Sequence, residues 1–385
     1  MFKNYKREGN IAGIREQHNI MIFIGNGFDI SVLRKYRDDN LVSSYSKFYD
    51  FLCYKGFNYE NILYKKMGLD RCRGKENWSD FECSLGELLQ SGVSVKVLEN
   101  ALKEMQAMFL LFLNEIVTPE VLLKLNNDIA ENSWGKKALS EFLGDLSRED
   151  YEKMDFPGKT THYHMYNYLF VNFNYTSLFD NYIYLDKYQF EPHPYKNVDT
   201  NFDFVPNPNG FFKRGMNEGT VWSSFVMTDT IHPHGYQNIP RSLLFGIENS
   251  DYESDRVLNR FNKSYWAQGN QKYKSYFDDA ELFIIYGMSI GETDNWWWKN
   301  IYNCLLSGKS ELVIYYYCNG CIDKDNVRQM FIDACRIVAS EEELAIVKDR
   351  IYVVLYGDCS SKKMFALKNN QEFRDRFKFC VNVKN

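Results

Sequence analysis

The sequence predicts an α/β protein: a Rossmann-like parallel sheet with helices on both faces and a helical insertion after the first strand. Three observations carry this. The last third alternates short apolar runs with helical periodicity: "AELFIIYGMSI", "TDNWWWKNIYNCLL", "ELVIYYY", "KDNVRQMFIDACRIVA" and "RIYVVLYG". Such alternation implies a parallel sheet covered on both sides. Near the N-terminus, "IFIGNGFDI" (Ile22–Ile30) is a buried strand that breaks into glycines and runs toward a helix. Between the first strand and the next, residues 45–150 are mainly helical in pattern. The expected division is therefore 1–44 with 151–385 as the nucleotide-binding α/β unit, and 45–150 as the insertion.

Taken in order, Asn19–Ile24 is the first strand, ending at Gly25. Tyr45, Phe48, Phe51 and Leu52 recur at helical spacing. "NWSDFECSLGELLQ" is a helix with Ser79 as N-cap, Glu82 three residues later as a capping box, and Trp78 placed to staple its start. A long helix spans about Ser94 to Val117, and another Trp134 to Leu146. "NYLFVNFNYT" (Asn167–Thr176) is a strand with a polar end. Residues 187–220 have loop composition. "TDTIHPHGY" and "SLLFGIE" read as short strands, and 249–280 as helical in part. Ser340 with Glu343 opens a later helix on a capping box, and a C-terminal helix follows the last strand. In "WWW", Trp296–Trp298, one tryptophan must leave the buried face, because three consecutive residues cannot share it.

Composition bounds the function. The 385 residues carry a net charge of −5, with 45% hydrophobic and 25% charged residues. No basic stripe marks a nucleic-acid surface. No apolar run is long enough to cross a membrane, and the N-terminus lacks a signal-peptide core. Nine scattered cysteines fit reduced thiols and a cytoplasmic location. Cys318 and Cys321 in "CNGC" have metal-like spacing but no second pair, and are read as a turn after a strand. P-loop, GxSxG and HExxH patterns are absent.

The chemistry concentrates at strand ends. In a parallel sheet these share one edge, where ligands bind. Four are polar or glycine-rich: "GNGFD", "NFNYT", "HPHG" and "GMSIGETD". In the first, Gly25 and Gly27 let backbone amides approach a phosphate, Asn26 adds an amide, and Asp29 suits a ribose hydroxyl. The same residues equally describe a tight strand–helix turn with Asp29 on the helix dipole. Asn172 and Asn174 share a face; either could orient a water or a sugar hydroxyl, or cap a turn. His232 and His234 lack a third metal ligand, so no metal is expected. His234 suits a general base or a hydrogen-bonding role. Gly287, Ser289 and Gly291 form a second small-residue loop, with Thr293 or Asp294 available to cap the helix beyond. The candidate nucleotide-binding residues are thus Gly25, Asn26, Gly27, Phe28, Asp29, Gly287, Ser289 and Asp294.

The ordered series "IFIGNGFD", "YSKFYDFL", "NWSDFE", "FNYT", "HGY", "LLFGI" and "IIYGMSIGETD" resembles the bacteriophage abortive-infection AbiH family. After "GNGFD" the family usually continues with a His-Gly-Leu-Pro-Thr-like stretch, where this chain has "ISVLRKYRDD". AbiH-like proteins in turn are similar to sirtuin-like domains, many of which hydrolyse NAD in phage defence. That resemblance implies Asn174 as the catalytic Asn and His234 as the catalytic His. It implies Gly25, Gly27, Gly287 and Ser289 as the dinucleotide loops. Thr176 stands where an acidic residue often follows the Asn-Tyr pair. The resemblance implies NAD as substrate, with no metal, and a phage-derived trigger or regulatory partner. It leaves open homo-oligomerisation, a related nucleotide in place of NAD, and a non-catalytic sensor.

Overall fold

A computed structural model of the chain describes residues 1–8, 13–37, 39–76, 79–157, 160–185, 201–209, 221–248, 252, 255–320, 322–358 and 360–367. Seven strands form one sheet: β1 (Glu16–Ile24), β2 (His164–Asn172), β3 (Asn201–Phe204), β4 (Trp222–Ile231), β5 (Leu282–Tyr286), β6 (Glu311–Tyr317) and β7 (Ile351–Tyr356). Their order is β3-β4-β2-β1-β5-β6-β7. Every neighbouring pair is parallel except β3 with β4. The α/β class with a mostly parallel sheet is therefore as expected.

Alternation along each strand divides the core into two faces. Ile20, Ile22 and Ile24 join Tyr168, Phe170, Ile284 and Tyr286 on one side. Met21 and Phe23 join Leu169, Val171, Phe283 and Ile285 on the other. The first face is covered by helices lying between β1 and β2: Asn26–Tyr36, Tyr45–Tyr54, Ile62–Cys72, Phe81–Gln90, Val95–Ile116, Pro119–Asn132, Trp134–Ser140 and Arg148–Lys153. Phe48, Phe81, Phe109 and Phe112 of these helices share one continuous core with the strands. The second face is covered by Lys274–Asp279, Asn295–Leu306, Lys324–Cys335 and Glu341–Asp349. Trp297 and Trp298 are buried on it, while Trp296 is half-buried, as one turn of helix requires.

Several local expectations change. The helix at 81–90 is capped by Asp80, which accepts from the amides of Glu82 and Cys83, not by Ser79. Glu82 does not reach back to the cap; it is buried in an ion pair described below. Trp78 lies outside the described residues, as do Cys321, most of 187–220 and the expected C-terminal helix. "SLLFGIE" is not a strand; its ladder contact is an isolated bridge, Ile247 with Asn262. The strand before "HPHG" begins earlier, at Trp222, and ends at Ile231, leaving both histidines in the turn beyond. Helix Trp134–Ser140 stops short of Leu146. Helix Pro119–Asn132 was not anticipated, although Thr118 caps it and proline occupies its first position. The Ser340–Glu343 capping box is present as expected. Among the described residues, six cysteines are unpaired, and no helix is long and apolar enough to cross a membrane.

Candidate active site

Strands β4, β2, β1 and β5 are consecutive and parallel, so "HPHG", "NFNYT", "GNGFD" and "GMSIGETD" all leave the same edge. The β1 and β5 ends are locked together. Gly25 N donates to Tyr286 O at 2.9 Å, and Gly27 N to Gly287 O at 2.8 Å. A Cβ on Gly27 would lie 2.8 Å from Gly287 Cα, and one on Gly25 would lie 2.7 Å from Gly287 O. Gly287 itself has φ +67°. These glycines permit two backbones to touch, and two amides that the sequence offers to a phosphate are engaged in that contact. Asn26 ties the loop to Ser43, donating from Nδ2 to the Ser43 carbonyl at 2.8 Å. Phe28 is core, edge-on to Phe179 and Tyr182. Ser289 is exposed.

Asp29 turns inward from the first turn of its helix and is 1% exposed. It accepts from Asn174 Nδ2 at 3.0 Å and from Thr176 Oγ1 at 2.7 Å. Burial raises its pKa to about 7, against the lowering effect of these two bonds. Asn174 Nδ2 gives its second hydrogen to Gly25 O at 3.1 Å. The β1 and β2 ends are thereby clasped by one amide. His232 stands behind, between Asp180 (Nε2 to Oδ1, 3.0 Å) and the Asn174 carbonyl (Nδ1, 3.3 Å).

His234 belongs to a second cluster. It is 6% exposed, and its ring lies 4.8 Å from that of Phe173. Gly235 at φ +93° makes the turn that aims it; a Cβ there would meet Ser242 O at 1.9 Å. His234 Nε2 lies 3.1 Å from Asp294 Oδ1, and Lys263 Nζ lies 3.7 Å from the same oxygen. That oxygen is buried and receives no well-directed hydrogen bond from either. Asp294 occupies the N-cap position of its helix, but its side chain makes no capping bond. Lys263 Nζ also meets Glu82 Oε2 at 2.9 Å, with both side chains 6% exposed. Glu82 Oε1 accepts from Gly246 N at 3.0 Å.

Burial alone would raise the Asp294 pKa, but Lys263 and His234 outweigh it and hold the pKa down to about 2. Burial likewise opposes the charge on Lys263, and Asp294 and Glu82 overcome it, holding the ammonium above the ordinary lysine range. For Glu82 and Glu248, burial dominates and pushes both carboxyls up. A cavity of about 10 Å³ lies among His234, Glu248, Lys263, Asp294, Trp296 and Trp297. That is room for about one water.

Residues 21–316, most of the chain, match the family described as Bacteriophage abortive infection AbiH. The chain belongs to the AbiH family. The match spans both clusters, from Gly25 through Asp294, and ties the chain to abortive infection of bacteriophage. No curated protein matches the sequence. In this AbiH chain, Asn174 and His234 reach the same edge, but their side chains bond different partners. Asn174 holds Asp29; His234 holds Asp294. Between them runs the Tyr175 backbone, whose carbonyl accepts from Gln237 N at 2.8 Å. Sequence reasoning missed Lys263, Glu82, Thr176 and Glu248 as site residues. Glu82 carried a signal, a buried-helix position inside the distinctive "WSDFE", but its spacing from Ser79 imitated a cap. Lys263 sits in a polar aromatic stretch with nothing local to mark it.

Proposed function

We propose that this AbiH protein acts in abortive infection by hydrolysing NAD to nicotinamide and ADP-ribose at the carboxyl edge of the sheet. The observation that carries the reading is the convergence of four polar strand ends, in sirtuin-like order, on one edge holding a buried Asp–Asn–Thr cluster and a buried His–Asp–Lys–Glu cluster. Breaking the C1′–N bond leaves positive charge on the ribose and releases neutral nicotinamide. Water supplies the new C1′–O bond, and its proton passes to His234. With Nε2 turned to Asp294, Nδ1 is the nitrogen left to accept that proton, and the Asp294 carboxylate stabilises the imidazolium. Asn174 positions the water or a ribose hydroxyl through Oδ1, because Nδ2 is committed to Asp29 and Gly25.

The cavity beside His234 admits a water but not a nicotinamide ring. Catalysis therefore requires an opened form, which suits an effector held silent until infection. The short helices Lys263–Ala267 and Gly269–Lys272, joined at Gln268 with φ 54°, wall this cavity and are the segment whose movement would open it. A second reading is a nucleotide sensor that opens the same edge and works through a partner without turnover.

Mass spectrometry of NAD incubated with purified protein, with and without phage lysate, separates the readings. Hydrolysis predicts nicotinamide release that is lost in both Asn174→Ala and His234→Ala, by a hundredfold or more for His234. Binding without turnover under every trigger selects the sensor. Consumption of another nucleotide while NAD persists selects a different hydrolase or transferase.

A further inference from the structure

The opposite edge of the sheet carries a cluster that the proposed reaction does not use. Glu16 opens β1, His18 follows two residues on, His164 opens β2, and Glu281 immediately precedes β5. The strand register sets Glu16 beside His164. Both imidazoles are 3% exposed. His18 Nε2 and His164 Nδ1 face each other at 3.0 Å. The other nitrogen of each ring is held from behind: His18 Nδ1 by Glu281 Oε2 at 2.8 Å, and His164 Nε2 by Thr161 Oγ1 at 2.8 Å. One ligand atom from each of Glu16, His18 and His164 lies within 4.8 Å of the others, and Glu16 Oε2 lies 3.9 Å from His164 Nε2, so its exposed carboxylate has to turn toward Nδ1 to complete the set.

We propose that Glu16, His18 and His164 form a binding site for one divalent transition-metal ion of the zinc class. His18 binds through Nε2, His164 through Nδ1 and Glu16 through its carboxylate, and water completes four-coordination. Three features support this. Metal-binding histidines usually have their second nitrogen fixed by a carboxylate or other polar group, and here both rings do. Nitrogens bound to a tetrahedral ion at about 2.0–2.1 Å stand about 3.3 Å apart, so the present 3.0 Å needs to open by only a few tenths of an ångström. Glu16 is largely exposed, which gives an ion a route from solvent to two buried nitrogens. The nearby Arg15 guanidinium lies over the Tyr163 ring, 5.6 Å from its centre. Two imidazoles and a carboxylate suit zinc over magnesium or calcium. The ion would staple the starts of β1 and β2, with Glu281 reaching in from the start of β5. The far ends of these same three strands carry the active-site loops. The site is independent of the NAD reading.

The test is titration of chelator-treated, full-length protein with Co²⁺, followed by the visible ligand-field bands of a four-coordinate ion and by competition with Zn²⁺. One Co²⁺ per chain is expected. Glu281→Gln should weaken binding by about tenfold or more through loss of ring orientation. Glu16→Gln should weaken it at least as much; its exposed position leaves the fold intact, which circular dichroism checks. His164→Asn should abolish the bands. Absence of saturable binding overturns the proposal. So does binding left unchanged by Glu16→Gln, or a thiolate charge-transfer band that assigns the ion to cysteines.

Discussion

Replacing Asp29 with asparagine should make the protein's stability less sensitive to pH, and the size of the change follows from the structure. Asp29 is buried, and among the described residues its hydrogen-bond partners are an amide and a hydroxyl. Its proton is held to about pH 7 in the folded chain, against an ordinary value of 3.8. A carboxyl that holds its proton more tightly when folded contributes its full stability below pH 4. It loses that contribution as pH rises to about 7, and the loss is then complete. The interval corresponds to about 4 kcal/mol. Asparagine has no such proton and shows no such loss. Urea unfolding of both proteins between pH 4.5 and 8.5 measures the effect. The stability of Asp29→Asn relative to wild type should rise by about 3 kcal/mol across that range and be flat above pH 8. Changes in hydrogen bonding shift both ends equally and leave the slope untouched. A difference constant to within about 0.5 kcal/mol would show that Asp29 is ionised throughout, and would refute the reasoning.

The glycine packing and the buried lysine make two further predictions. Gly27→Ala brings a Cβ to 2.8 Å from Gly287 Cα, backbone against backbone, and should cost about 1–3 kcal/mol, read as a lower urea midpoint; an unchanged midpoint would mean the two loops are free to separate. Lys263→Ala removes the ammonium from between Glu82 and Asp294 and should cost about 3–5 kcal/mol. Lys263→Met combined with Glu82→Gln should cost at least about 1 kcal/mol less than the sum of the two single substitutions, because one stranded charge is gone; an additive result would deny the coupling.

The sheet was legible because its strands are short apolar runs with polar ends, and burial on both faces leaves little room for another reading. β3 was not, since it is four residues within a stretch of loop composition and pairs only with β4. The site was legible in its strand-end residues and not in their partners. Asp29 meets residues about 145 positions away, and Lys263 meets Glu82 at a separation of 181. No local spacing encodes such pairings. Where local spacing did speak, it misled: Ser79 and Glu82 have the interval of a capping box, while Asp80 does the capping. The glycines of "GNGFD" show the same ambiguity. A glycine required by an approaching ligand and one required by an approaching strand look alike in sequence. Here Gly25 and Gly27 meet the Gly287–Met288 backbone just beyond β5.

That distinction bears on which part of a dinucleotide this edge is built to meet. Phosphate oxygens need donors. The donors described here are spent within the protein: the amides of Gly25 and Gly27, the Asn26 side-chain amide, and both hydrogens of Asn174 Nδ2. Gln237 Oε1 is buried without a hydrogen bond among the described residues, whereas Asp294 Oδ1 faces two cationic donors, His234 Nε2 at 3.1 Å and Lys263 Nζ at 3.7 Å. A buried acceptor without a partner is costly and calls for a donor. Water and ribose hydroxyls supply donors; a pyrophosphate does not. On the proposed NAD reading, the closed edge therefore suits the sugar and its attacking water better than the pyrophosphate. If the proposed NAD reading holds, binding the pyrophosphate requires the Tyr286–Gly287 contact to open and return the Gly25 and Gly27 amides to the ligand. On that reading the Gly25–Gly27 clasp and the wall of the His234 cavity are two contacts that must both open, and an effector silent until infection can be restrained at either.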